Sequence, residues 1–234
     1  MLLAELALAP AIAIAIYFYY RDKYEKEPLN LLLAAFICGF LSTILVIIIQ
    51  MPLIGLIKEI NNFIAKIFLE SFVGAGIIEE GTKFMIFMLL IYKNKEFNEP
   101  YDAILYAVMI SLGFAAFENV GYVLGAYLKG GMVLGFSTVL LRALLSVPAH
   151  ALFAVIMGYY LGIAKFSQDT QAESRNISKA LGVAIVMHGF FDFFLFLRVG
   201  VAFFYLMISF IILWRIAFRD IRIQLDKSPF KPKK

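Results

Sequence analysis

The sequence predicts an all-α fold: a polytopic membrane bundle of about seven helices, N-terminus outside and C-terminus cytoplasmic. Three observations lead there. Hydrophobic residues fill 62% of the 234 positions, where a soluble domain carries roughly 45–50%. Charged residues fill 16% against about 25% in soluble domains, and a mean hydropathy of +0.87 shows how far the balance is tilted. The apolar residues also fall into seven windows of about the length that crosses a hydrocarbon core roughly 30 Å thick.

In order, the windows are 2–20, 29–57, 71–92, 101–128, 132–164, 179–197 and 199–218. The first contains only Glu5 as a charge, has no basic stretch ahead of it and is followed by Arg21-Asp22-Lys23, so it reads as an uncleaved span and not as a signal peptide. The fifth is longer than one crossing needs and contains Arg142 and Pro148, which places 132–141 partly in the interface. Between windows, 58–70 reads as an amphipathic external segment and 167–178 as a solvated cytoplasmic loop. One domain covers 1–234, with a core at 71–197 and a basic tail at 219–234. Cys38 has no intrachain partner, so no disulfide supports the fold.

Basic residues set the orientation, because short cytoplasmic loops retain Lys and Arg. With the N-terminus outside, the cytoplasmic side receives 15 of the 21 basic residues. Seven of these, Arg215, Arg219, Arg222, Lys227, Lys231, Lys233 and Lys234, lie in the last 20 positions. The outer side receives four, Lys58, Lys66, Lys129 and Arg198. The net charge of +4 is therefore juxtamembrane charge facing a lipid bilayer, not a nucleic-acid surface.

Away from the window ends, eight ionisable groups remain: Glu79, Glu80, Lys83, Glu118, Arg142, His150, His188 and Asp192. A charge at that depth costs several kcal/mol, so it faces the bundle interior, finds a partner and marks function. At about 1.5 Å of rise per residue, Glu79, Glu80, Glu118, His150 and His188 fall at one level, roughly 12–15 Å from the outer end. Glu79 and Lys83 are four apart, the spacing of a helical ion pair, which leaves Glu80 as a second carboxylate. His188 and Asp192 have the same spacing, so the carboxylate can orient the imidazole. Pro148 frees a backbone carbonyl two residues before His150. Glu118 sits among aromatics beside Asn119.

Glutamates beside imidazoles without a nearby cysteine suggest a water molecule activated by a carboxylate, the chemistry of peptide hydrolysis. A zinc or similar divalent ion would take Glu118, His150 and His188, leaving Glu79 or Glu80 to deprotonate the water. In a metal-free version the glutamate acts directly and His188 donates to the developing oxyanion. The sequence leaves both open. It contains no His-Glu-x-x-His helix and no Gly-x-Ser-x-Gly elbow. Ser146, one turn before His150, reads as bonded to its own helix. A proton-coupled transporter or ion pathway is the alternative, since buried Glu, Lys and His chains also relay protons. It calls for matching inverted halves, and no internal repeat is visible.

Four strings in order, Glu79-Glu80-Gly81-Thr82-Lys83, Phe114-Ala-Ala-Phe117-Glu118-Asn119, Arg142 followed by Pro148-Ala149-His150, and His188-Gly189-Phe190-Phe191-Asp192, resemble the motifs of the PrsW family of intramembrane proteases. The resemblance spans 71–197. It implies a glutamate- or metal-dependent peptidase in a prokaryotic plasma membrane, within a clan shared with the type II CAAX prenyl endopeptidases. By position it gives Glu79 and Glu80 as the paired catalytic glutamates, Lys83 as the basic residue after them, and His188 with Asp192 as the final motif; the residues themselves add Glu118 and His150 to the expected catalytic set and Asn119 and Arg142 to substrate binding. It also implies a membrane-anchored substrate such as an anti-sigma factor cut on its extracytoplasmic side. The chain departs from the CAAX enzymes in having Lys83 four residues after Glu79, where they carry arginine after five, and Phe114-x-x-x-Glu118 where they carry Phe-x-x-x-His.

Overall fold

The computed structural model describes residues 2–232; Met1 and the tail residues Lys233 and Lys234 lie outside the described residues. The described residues form helices joined by short connections, with no strand among them. Helix α1 spans Leu2–Arg21 and α2 Leu29–Lys58. The short α3, Phe63–Phe68, is capped by Asn62, whose side chain accepts from the Ala65 amide at 2.9 Å. It runs into a π-helical segment, Leu69–Glu79, continued without a break by α4, Glu80–Leu90. Then follow α5 (Pro100–Leu141), a second π segment (Arg142–Ser146), α6 (Val147–Lys165), α7 (Thr170–Leu197) and α8 (Gly200–Asp226).

Five helical stretches are long and apolar enough to cross a membrane, and one of them, Pro100–Lys165, counts 66 residues. That stretch is a hairpin. At Gly130 and Gly131 the dihedrals leave the helical region, with φ of +67° and ψ of −160° at Gly131, a conformation open to glycine. Beyond the turn the chain lies back on itself. A Cβ at Gly135 would meet Tyr127, Arg142 bonds to Glu118 and Asn119, Gly158 packs on Ala103 and Gly162 on Pro100. Windows 101–128 and 132–164 are the two arms, and 132–141 continues the returning rod.

One loop reading needs correction. The polar stretch 167–178 is helical from Thr170, because Asp169 caps the first turn by accepting from the Gln171 and Ala172 amides. Polarity there reflects an exposed first face of α7, not a loop. The 219–234 stretch begins as the last two turns of α8, and Ser228 donates a hydrogen bond to buried Glu99.

Glycines set the closest helix crossings. A Cβ at Gly39 on α2 would run into the Ile110 carbonyl of α5, and one at Gly113 into the Phe36 carbonyl, so these two helices touch backbone to backbone. At Gly158 a Cβ would lie 2.6 Å from the Ala103 carbonyl oxygen, which locks α6 to the outgoing arm of α5. The outgoing arm is thereby enclosed: Tyr101 through Ala116 are all buried. The core is this arm wrapped by α1, α2, α4, α6 and α8, with Tyr101, Tyr106, Phe87 and Phe153 as its largest enclosed side chains.

Candidate active site

The first π segment ends at one site residue, Glu79, and the second begins at another, Arg142. A π turn widens the helix by one residue and concentrates at functional positions. Leu69–Glu79 delivers Glu79 and Glu80 on consecutive positions, and Arg142–Ser146 precedes Pro148 and His150. Pro148 lacks the amide that would close the α-helical bond one turn back, which accounts for the second irregularity. In the first, small residues let α7 approach: a Cβ at Gly76 would be 2.9 Å from the Ile185 carbonyl oxygen, and one at Gly189 would strike the Phe72 ring. That approach carries His188 to Glu80. Ser111 donates to the His150 carbonyl at 2.9 Å and seats α6 on the outgoing arm at the same level.

Four elements thus bring the predicted residues together. Oε1 of Glu80 accepts from Lys83 Nζ at 2.7 Å and from His188 Nδ1 at 2.8 Å. Lys83 Nζ lies 3.8 Å from Glu79 Oε2, 3.1 Å from His150 Nδ1 and 4.3 Å above the Phe114 ring. An ammonium has only protons to offer, so His150 Nδ1 accepts and its Nε2 is the protonated nitrogen, facing Glu118 Oε2 at 3.1 Å. The ring of Phe153 stacks on His188, centroids 4.9 Å apart. Glu80, Lys83, His150 and His188 are each at most 4% exposed.

Arg142 ties the far side. Its Nη2 donates to Glu118 Oε2 and its Nε to Asn119 Oδ1, both at 2.7 Å, and its guanidinium lies over the Tyr122 ring. Asn119 in turn donates to the Ala7 carbonyl of α1. Asp192, expected to orient His188, has its nearest oxygen 3.7 Å from His188 Nε2, beyond hydrogen-bonding distance, and the bond to the ring is made by Glu80. Asp192 lines a small cleft with Glu118, Arg142, His150 and His188.

The sequence reading did not single out Gln50. From α2 it donates to Glu79 Oε1 at 3.2 Å and to the Gly74 carbonyl at 3.0 Å, bracing the π segment. Its signal was an amide deep in a window otherwise nearly all apolar. Phe114, Tyr122 and Phe153 were hidden among 24 Phe and 12 Tyr.

Glu79, His150 and His188, all buried, each place one ligand atom within 4.8 Å of the others. One carboxylate and two imidazoles form a donor set of catalytic zinc sites, and Glu79 Oε2 has no hydrogen-bond partner. The set fits a divalent metal once Lys83 releases His150 Nδ1, since Nε2 carries the proton that faces Glu118. Glu118 stands outside this group, bonded instead to Arg142 and His150.

A family model described as PrsW family intramembrane metalloprotease matches residues 27–216. The chain is 38% identical over 188 residues to a Protease PrsW of Bacillus subtilis, covering 80% of each chain. It is 34% identical over 220 residues to one of Geobacillus kaustophilus, covering 94% of this chain and 91% of the relative. It is 33% identical over 213 residues to one of Clostridioides difficile, covering 90% and 86%. No solved structure matches it. A helical bundle with apolar membrane-length helices, a buried Glu-His-His group and likeness along most of its length together establish that the chain belongs to the PrsW family of intramembrane metalloproteases, a multi-pass peptidase of the cell membrane.

Proposed function

We propose that the protein cuts a single-pass membrane protein at the level of Glu79, on the extracytoplasmic side. The basic-residue count, with Lys129 outside and Arg21, Lys165 and the tail inside, supports that orientation. The substrate class is an anti-sigma factor or a similar tethered regulator, as the motif resemblance implies. The observation that carries the reading is the buried convergence of Glu79, His150 and His188, which a packing role does not require.

Those three residues would hold the metal, zinc being the ion such donors suit. When bound, it supplies Lewis acidity toward the scissile carbonyl and toward water. Glu80 fixes the His188 ring through Nδ1, leaving Nε2 free to face the group. Glu118 takes the proton of the attacking water. Its Oε2 receives both Arg142 and His150, so Oε1 is the available oxygen, and the side chain is the most exposed of the site's carboxylates at 20%. As water oxygen bonds to the carbonyl carbon and the C–N bond breaks, Glu118 returns that proton to the departing amine. Lys83 and Arg142 each balance a carboxylate, so the buried cluster does not carry several unopposed negative charges.

The test is co-expression with a panel of tagged single-pass membrane proteins, comparing wild type with Glu79→Gln by immunoblot. A shortened fragment seen with wild type and absent with Glu79→Gln supports the reading. A fragment of equal amount from both removes Glu79 from the chemistry.

A further inference from the structure

A groove leads into the site from the membrane. It encloses about 620 Å³ between α2, which contributes Thr43, Val46, Ile47 and Gln50, and the α5 hairpin, with Glu79 and Glu118 at its inner end and Lys129 at its mouth. At about 1.5 Å per residue, Glu118 to Lys129 makes it roughly 16 Å long. The outgoing arm presents Gly121, Gly125 and Ala126 to it.

Those glycines differ from the ones at the helix crossings. Gly39, Gly113 and Gly158 are glycine because a neighbouring backbone leaves no room for a Cβ. At Gly121 and Gly125 an added Cβ meets nothing within 4 Å. Each stands in a helix interior where alanine would be more stable, and the chain's own packing gains nothing in return. The surface they keep bare faces an open groove. At its inner end stands Glu79, 6% exposed, with an oxygen that has no hydrogen-bond partner.

We infer that this groove between α2 and the α5 hairpin seats the substrate: the extracytoplasmic half of one transmembrane segment, entering sideways from lipid, with small residues against Gly121 and Gly125. The inference rests on the proposed proteolysis and adds where the substrate lies and what it must look like. Continuity decides the occupant, since Glu79 and Glu118 belong both to the groove and to the site. A polypeptide reaching them along the groove has its backbone against the glycine face, where a partner with small side chains can approach closely. Bulky residues at that level would hold the scissile bond away from Glu79.

The probe is a tagged single-pass reporter with alanine and glycine through its extracytoplasmic half, set beside a second reporter with leucine and phenylalanine there. In a Cys38→Ala, Glu79→Gln background, Gly125→Cys is expected to crosslink through a short bismaleimide to a cysteine in that half of the first reporter. The yield should be at least tenfold above that of Gly55→Cys, an exposed α2 position away from the groove. In the active chain, Gly125→Leu should lower cleavage of the first reporter at least tenfold, while Gly55→Leu leaves it unchanged. Absence of the Gly125 crosslink, equal yields at the two positions, equal yields from the two reporters, or full cleavage by Gly125→Leu would each overturn the groove. A reporter that crosslinks at Gly125 but is left whole by the active chain overturns the proteolysis and leaves the groove standing.

Discussion

Nδ1 of His188 lies 2.8 Å from Oε1 of Glu80, and the same oxygen accepts from Lys83 at 2.7 Å. One buried carboxylate oxygen thereby joins α4 to α7 and neutralises an ammonium that the chain cannot hydrate. Removing one partner of such a pair strands the other.

Glu80→Gln should therefore lower stability by about 3–5 kcal/mol, the usual consequence of breaking a buried ion pair from one side. Adding Lys83→Met should recover most of that loss, because the stranded charge is gone, yet cleavage should stay absent because His188 is no longer held. Denaturant unfolding in detergent measures the first and the immunoblot the second. A single variant as stable as the double would show that Glu79, 3.8 Å from the ammonium, suffices as its partner.

Arg142 makes one hydrogen bond to Glu118, another to Asn119, and stacks on Tyr122. Lysine keeps the charge but not the forked geometry. Arg142→Lys should reduce cleavage about 10–100-fold, the range seen when a group that orients a site residue is lost, with little change in the thermal midpoint. Cleavage at the wild-type rate would mean that only the charge matters there.

How much of this was visible beforehand follows from which forces act locally. Apolar runs mark the helices, and ionisable groups that lipid does not tolerate mark what must converge between them, so the bundle and that convergence were legible. Glu79, Glu80, Lys83, Glu118, Arg142, His150 and His188 are all in one bonded network. What stayed hidden depends on packing between distant segments. The i,i+4 spacing made Asp192 the natural partner of His188, but a Glu80 108 residues away reaches the ring first, because the Gly76 and Gly189 contacts draw α7 onto the π segment. The π geometry itself left no periodic trace, since between Glu70 and Glu79 that stretch is apolar or small on every face. The start of α7 was lost for the opposite reason: polar residues masked a capped helix.

Near the start of α5, carboxyls from the α1–α2 connection and from the stretch before α5 are packed together. Burial, with Glu99 nearby, pushes Asp22 up from 3.8 to about 7. Burial also pushes Glu27 up from 4.5 to about 7, against the lowering effect of its Tyr106 hydrogen bond. Glu99 is raised by burial as well, opposed by Ser228. A carboxyl with a raised folded-state pKa favours the folded state while protonated. Its contribution is complete below the unfolded value near 4 and is lost as pH rises toward 7. The thermal midpoint in detergent should thus fall between pH 5 and about 7.5, and Asp22→Asn with Glu27→Gln should flatten that fall. A midpoint that rises over the same interval, with the double variant tracking wild type, would contradict the protonated cluster.

The hairpin turn sets the distance between Glu118 and Arg142, so its two glycines should not be equivalent. Gly131 has φ of +67° and ψ of −160°, a region essentially restricted to glycine. Alanine there should cost about 1–3 kcal/mol, or else shift the turn. Gly130 has φ of −147°, which any residue adopts, and a Cβ there asks only for a small shift of Leu134, whose Cβ would lie 2.9 Å away. Gly130→Ala should therefore be the milder change in stability. If the turn shifts instead of unfolding, the returning arm moves relative to the outgoing one, and the Arg142 bonds 12 and 11 positions from the turn on either side are the first to lengthen. Gly131→Ala should then lose cleavage in parallel with Arg142→Lys, and combining the two should add little further loss, because both act on the same bonds. Independent, additive losses would place the effect of Gly131 elsewhere than at Glu118.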